Sequence, residues 1–401
     1  MNRSIAWLSL GAFMASATTR ICDSLLPQLA DEFAVPVSAA AMSITAFTLG
    51  YGLFQLVYGG IGARLGPYRT AVIAISASAA GTLACAFASD LFWLTLGRFF
   101  SGLTIAAVIP MSMVYIGETV AYEDRQPVIA RFLLGGVFGG IFGQAFAGLF
   151  AEWLSWRQLF LALGMTTMAT ALAMVIELRS GHVRNFERAA DIPNLFGQYA
   201  RVLRVPWARI VLLTVTIEGF LCAGTFPYVA PHLHAAFDLS YLAIGAVMSC
   251  FGFGSLVFIL FVRKLHRRLG ERGLVLGGGM ALVAGFALVA VAGTVGLVAL
   301  AAAIAGFGFY MMHNTLQTNG TQMATFDRSA AIALFAFCLF IGQASGTMIM
   351  GPIAEWLGYP VIFMMAGSGL LVLALFFRNA KADREAAQAA QEAQAVGGPS
   401  P

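Results

Sequence analysis

Four ionisable residues lie inside long apolar stretches of this chain: Arg20, Asp23, Arg98 and Glu218. A charge in hydrocarbon is costly, so each is a candidate for function. Arg20 and Asp23 are three residues apart, on one face of a helix. Counting ~1.5 Å per residue puts Asp23 and Arg98 roughly 6–10 Å below the same membrane surface. An Arg20–Asp23–Arg98 cluster is therefore expected. In it Asp23 would bind and release a proton, and Arg98 would respond to its charge. A static salt bridge that only satisfies buried charges is the plainer alternative. Glu218 falls about 14 Å into its helix, near the bilayer midplane. The sequence shows no cationic partner for it. It is expected to be a second proton carrier or the anchor of a cationic substrate; the alternative is a carboxyl hydrogen-bonded to a neighbouring helix.

The stretch GFGFYMMHNTLQTNG adds Tyr310, His313, Asn314 and Gln317, and the last three fall on one helical face. With Arg20 and Glu218 they are candidate substrate contacts, or a polar lining near one membrane surface. Met311 and Met312 beside His313 are soft donors, but adjacent residues point apart on a helix, so no metal site is expected. Cys22, Cys85, Cys222, Cys250 and Cys338 are scattered, with neither zinc nor disulfide spacing. No GxxxxGK[ST] loop for ATP is present. No Ser/His/Asp constellation suggests an enzyme, and no cofactor is implied. Energy must come from an ion gradient, the proton above all, or from the substrate's own gradient. The 33 Phe and 17 Met residues suit an adaptable apolar cavity, although lipid-facing helices are Phe-rich as well.

The elements that position these residues are transmembrane helices. Of 401 residues 59% are hydrophobic and 10% charged, against roughly 25% charged in soluble domains. Twelve apolar runs follow one another, at about 5–30, 40–62, 70–89, 92–115, 131–152, 158–178, 209–231, 242–263, 273–292, 296–317, 330–350 and 358–377. Each is near the ~20 residues that span a bilayer. The first has no short apolar core followed by a cleavage site, so it reads as a retained helix. With both termini in the cytoplasm, the inner side receives all but Arg20, Arg98 and Arg157 of the 23 lysines and arginines. The net charge of +4 is thus a topology signal, and nucleic acid is not an expected partner.

The chain also repeats itself. GQAFAGLFAEWL from Gly143 returns as GQASGTMIMGPIAEWL from Gly342, Asp124-Arg125 as Asp327-Arg328, Pro27 as Pro231, and Arg64-Leu65-Gly66 as Arg268-Leu269-Gly270. Two copies of one unit in the same direction are implied. They are an N-terminal six-helix bundle (1–178) and a C-terminal one (209–377), joined by a cytoplasmic loop (179–208) and followed by a loose tail (378–401). The four buried charges have no ionisable counterpart in the other copy, as expected of residues that serve function rather than scaffold.

This pattern resembles the major facilitator superfamily over about residues 5–377. GGIGARLGPYR is similar to the family's Gly-x-x-x-Asp-Arg-x-Gly-x-Arg-Arg, matching at Gly59, Arg64, Gly66 and Arg69 with Ala63 in the acidic place. RFFSG at 98–102, Asp23-Ser-Leu-Leu-Pro27 and the glycine-rich LLGGVFGGIFGQAFAG look like motifs of the twelve-helix drug/proton antiporters, with Gln144 where those have Pro. The resemblance implies an all-α integral membrane protein of the inner membrane, a monomer of two parallel six-helix bundles. It implies proton-coupled export of small hydrophobic or amphipathic compounds by alternating access. Gly59, Arg64, Gly66, Arg69, Gly143, Gln144 and Gln343 would then serve gating where the halves meet. Proton-coupled import of a small anionic metabolite is the alternative within transport. A membrane sensor or assembly factor on the same scaffold is the alternative outside it.

Overall fold

The apolar runs become helices because a bilayer leaves a backbone no other partner than itself. The computed structural model describes residues 3–181, 183 and 195–396, with side chains for all but 122 and 391–396. No strand occurs among the described residues. Ten helices are long and apolar enough to cross a membrane among them. One, Tyr241–Val291, is two helices joined at a kink on Gly270 (φ 62°). The first run makes a further pass in two pieces, α1 (Arg3–Arg20) and α2 (Leu26–Phe33). The total is the expected twelve, counted below as passes 1 to 12.

Pass 2 is Val37–Leu65, pass 3 Pro67–Ala86, pass 4 Leu91–Thr119, pass 5 Glu123–Trp153 and pass 6 Trp156–Arg179. Pass 7 is Pro206–Phe237, passes 8 and 9 share Tyr241–Val291, pass 10 is Val295–Gln322, pass 11 Arg328–Leu357, and pass 12 begins at Tyr359. Asp90, Ser155, Ser240 and Asp327 cap the starts of passes 4, 6, 8 and 11 by accepting from the backbone N–H three residues on. The repeat recurs in the backbone. Gly66 (φ 83°) and Gly270 turn the chain at equivalent places, and Ala34 (φ 51°) and Asp238 (φ 49°) end equivalent helices in the left-handed conformation.

Two sequence expectations need correction. The tail at 378–396 is not loose: pass 12 continues as one helix from Tyr359 to Val396. Its Ala, Gln and Glu are good helix formers. Lys381 also pairs with Glu271 at 2.5 Å and bonds Asn319 at 3.1 Å, and Glu385 pairs with Arg272. The loop at 179–208 contains a helix, Leu195–Arg204, whose Tyr199 hydroxyl donates to the Leu56 carbonyl on pass 2. His182 and residues 184–194 of that loop lie outside the described residues.

Small residues let these helices touch backbone to backbone. Gly135, Gly139 and Gly143 press pass 5 onto pass 1 at Ser9, Phe13 and Ala17, and Gly219, Gly342 and Gly346 do the same between passes 7 and 11. Between the halves, pass 5 meets pass 8, where a Cβ on Gly148 would lie 2.8 Å from the Gly245 Cα. Pass 2 meets pass 11 through Tyr51 and Phe340, ring centroids 4.1 Å apart. Gly245→Val should therefore wedge the halves apart and cost about 1–3 kcal/mol, read as a lower melting temperature in detergent. Gly59 has nothing within 4 Å of an added Cβ and lies inside a helix, so Gly59→Ala should not lower that temperature.

Candidate functional site

Pass 1 is broken where its charges sit. Residues 21–25 form turns between α1 and α2, whose second residue is Pro27, and a proline has no N–H with which to continue the helix bond to the residue four before it. Pass 7 is interrupted at the matching depth by a π-helical turn, Gly219–Ala223, and a 3-10 turn, Phe226–Tyr228, around Pro227. Interrupted helices near the midplane are where transporters place their sites.

Two dyads result, one in each half. Arg20 Nη1 donates to Asp23 Oδ2 at 3.2 Å, with Asp23 fully buried and the Arg20 side chain 22% exposed. Gln144 Nε2, from pass 5, reaches the same oxygen at 3.5 Å. In the other half His313 Nδ1 lies 2.8 Å from Glu218 Oε2, with Glu218 fully buried and His313 14% exposed. His313 is stacked on Phe309, centroids 5.0 Å apart, and packs beside Phe335. Arg20 stands within electrostatic reach of Cys222 and Tyr310, and Cys222 within reach of Glu218. Arg20 thus lies near the passes that carry the second dyad, and Arg20 and His313 are the partly exposed members of the two pairs. Asp23 Oδ1 and Glu218 Oε1 are buried without a hydrogen-bond partner. Leaving such buried atoms without a partner carries a desolvation cost.

Several expectations change here. Glu218 does have a partner, the His313 imidazole on a neighbouring helix, as its alternative reading expected; sequence spacing could not reveal which residue it is. Arg98 does not touch Asp23. It is fully buried, donates to the carbonyls of Thr18 (2.8 Å) and Ser43 (3.4 Å), and lies 4.0 Å from the Phe47 ring centroid. The last carbonyls of a helix lack partners within it, and the break after Arg20 leaves Thr18 among them, so Arg98 binds the backbone of pass 1 rather than its carboxylate. Asn314 is half-buried and Gln317 exposed; neither enters the dyad.

The gating candidates divide as well. Gln144 contacts Asp23, and its equivalent Gln343 is buried with its amide nitrogen unpartnered. Gly143 faces pass 1 of its own half. Gly66 makes the turn after pass 2, Arg64 is exposed with no ion pair among the described residues, and Arg69 is exposed. What sequence reasoning missed is the repeated glutamate. Glu152 Oε2 accepts from the Leu242 N–H at the start of pass 8 (3.3 Å), and Glu355 Oε1 from the Ser38 N–H at the start of pass 2 (2.8 Å). Leu242 and Ser38 occupy equivalent positions in the two copies. Each half thus clasps a helix start of the other, on the side opposite the termini, where the Tyr241 hydroxyl also bonds Asp31 at 3.2 Å. The adjoining Trp153 and Trp356 are 69% and 82% exposed, as interfacial anchors are. The duplicated Ala-Glu-Trp-Leu was the available signal.

A family model for the Major Facilitator Superfamily matches residues 8–327. The chain is 23% identical over 373 residues to YwfA of Bacillus subtilis (strain 168), an uncharacterized MFS-type transporter, covering 90% of this chain and 88% of that one. It is 25% identical over 233 residues to the "Putative multidrug resistance protein MdtD" of Escherichia coli (strain SE11), covering 57% of this chain and 50% of that protein. Among solved structures, the nucleoside transporter NupG superposes with a TM-score of 0.70 at 14% identity, covering 94% of this chain and 98% of that one. A D-xylose-proton symporter gives 0.74 at 15%, covering 93% and 96%. At such identities the structures speak for the fold.

Proposed function

This chain belongs to the Major Facilitator Superfamily, and on that premise we propose that it is a proton-coupled secondary transporter that exports small hydrophobic or amphipathic compounds by alternating access. The observation that carries the reading is the pair of dyads, each a fully buried carboxylate held by a partly exposed nitrogen-bearing side chain, Arg20 or His313. Asp23 takes a proton from the side opposite the termini and gives it up on the terminal side. Its charge is sensed by Arg20 directly and by Arg98 through the backbone of pass 1. Glu218 with His313 supplies a second proton site or a contact for a basic group of the substrate, and Tyr310 lines the same space. Both termini lie in the cytoplasm, because the basic residues cluster on that side. Export is favoured by the motif likeness and by the multidrug-resistance name of a relative.

Growth of a host stripped of its efflux pumps, across a panel of toxic compounds, tests this reading. Resistance to several compounds that depends on Asp23 supports it; no resistance from inserted, folded protein overturns the export direction. A second reading, proton-coupled uptake of a small anion, is favoured by Arg20: protonating Asp23 frees the guanidinium to hold an anion, so proton and anion would travel together.

The clasps of Glu152 and Glu355 act in this scheme as the gate on the side opposite the termini. Replacing both by Gln should raise the population open on that side by about fivefold, from roughly 0.5 kcal/mol per charged contact at a helix start. Distances between labels at Asp90 and Thr294, in loops on that side, should lengthen accordingly. Unchanged distances would remove the clasps from the gate.

A further inference from the structure

Pass 8 ends in a cationic cluster that its equivalent in the other half does not share. Residues 263–268 read Arg-Lys-Leu-His-Arg-Arg, whereas the equivalent 59–64 read Gly-Gly-Ile-Gly-Ala-Arg. The other copy is an internal control: Arg64 and Arg69 suffice there to hold the loop on the terminal side. Arg263, Lys264, Arg267 and Arg268 are all exposed and form no ion pair among the described residues. Arg272, just beyond, is by contrast matched by Glu385.

The cluster continues a lipid-facing stripe. Phe253, Val257, Leu260 and Phe261 are 54%, 45%, 78% and 51% exposed, while Phe251, Gly254 and Phe258 on the opposite face are buried. Prolonged at helical spacing, that stripe arrives at Lys264, Arg267 and Arg268. Beside it a cavity of about 570 Å³ is lined by Val262, Arg263, His266 and Arg267. An apolar track about 12 Å long, at ~1.5 Å per residue from Phe253 to Phe261, therefore runs towards a hollow lined by two guanidiniums and an imidazole at the terminal-side end of the pass. Basic pockets at that level suit anionic headgroups, and guanidinium suits phosphate in particular.

We propose that the terminal-side end of pass 8 is a binding site for an anionic phospholipid, its phosphate held by Arg263 and Arg267 and its acyl chains lying along Leu260, Phe261 and Val257. The proposal needs only membrane insertion and is independent of what is transported and in which direction. Lys264 and Arg268 neutralise a second phosphate or carry further lipids of the same charge.

The test uses the full-length protein, stripped of lipid in detergent. Native mass spectrometry and thermal unfolding are followed as cardiolipin, phosphatidylglycerol, phosphatidylethanolamine or inorganic phosphate is added. The first two should bind and raise the melting temperature, and phosphatidylethanolamine and inorganic phosphate should not. The R263Q/R267Q chain should bind the anionic lipids roughly 30-fold more weakly, and R179Q, which also removes charge from the terminal side, should bind them as wild type does. Equal binding of phosphatidylethanolamine, the same stabilisation by inorganic phosphate alone, or undiminished anionic-lipid binding by R263Q/R267Q would each overturn the site. If the double variant does not fold, the wild-type comparison among the four additives decides alone.

Discussion

Asp23→Asn is expected to abolish gradient-driven transport, down to the level of membranes without the protein, while exchange of substrate for substrate at equal pH continues. The carboxylate is fully buried and takes its bonds from Arg20 and Gln144. An amide of the same shape can accept both bonds but cannot cycle a proton. The substitution leaves Arg20 without its counter-charge, yet that side chain is partly exposed and can keep its bond to the amide oxygen, so the chain should still fold and insert. The two assays therefore separate. Loss of both, with the protein absent from the membrane, would assign Asp23 to structure. Persistence of both would remove it from the coupling mechanism.

Glu218→Gln is expected to reduce transport of substrates bearing a basic group by about 10- to 100-fold, the worth of a charged hydrogen bond in a water-poor site. Neutral substrates should fall less. His313 remains able to bond the amide, so the fold should tolerate the change. His313→Ala alone leaves Glu218 buried without its 2.8 Å partner, and a carboxylate stranded in that way destabilises the protein. Adding Glu218→Gln to His313→Ala should then recover thermal stability although not transport. Equal transport of every substrate by wild type and Glu218→Gln would exclude the residue from both of its proposed roles. Stability of the double variant no higher than that of His313→Ala would mean that the pair is not energetically coupled.

The passes are legible in the sequence because hydrocarbon imposes a simple rule, some twenty apolar residues per crossing. The repeat is legible because two copies of one scaffold keep the same glycines and caps. Arg20 with Asp23 can be read from their three-residue spacing, although Asp23 sits in the turns after α1 and not on the helix that the reading assumed. The Glu218–His313 pair cannot, since its members are 95 positions apart in sequence and only the packing of pass 7 beside pass 10 unites them. Arg98 escapes the sequence for a related reason. Depth counting places it level with Asp23, but the break in pass 1 exposes the Thr18 carbonyl to it first. Pro27 and Pro227 foretell irregular backbone, and only the three-dimensional arrangement shows that both breaks lie at the charged residues. The tail reads as loose because its composition is polar, and the ion pairs of Lys381 and Glu385 with the turn after pass 8 are invisible from composition.

The central claim is that substrate and proton exchange at the two dyads. The most direct measurement follows pH in a weakly buffered solution of purified protein as a compound identified by the growth panel is added. The account predicts that wild type releases protons on binding and that the Asp23→Asn chain, at matched occupancy, releases fewer. Binding by wild type with no change in pH, or with proton uptake, would contradict proton-coupled export.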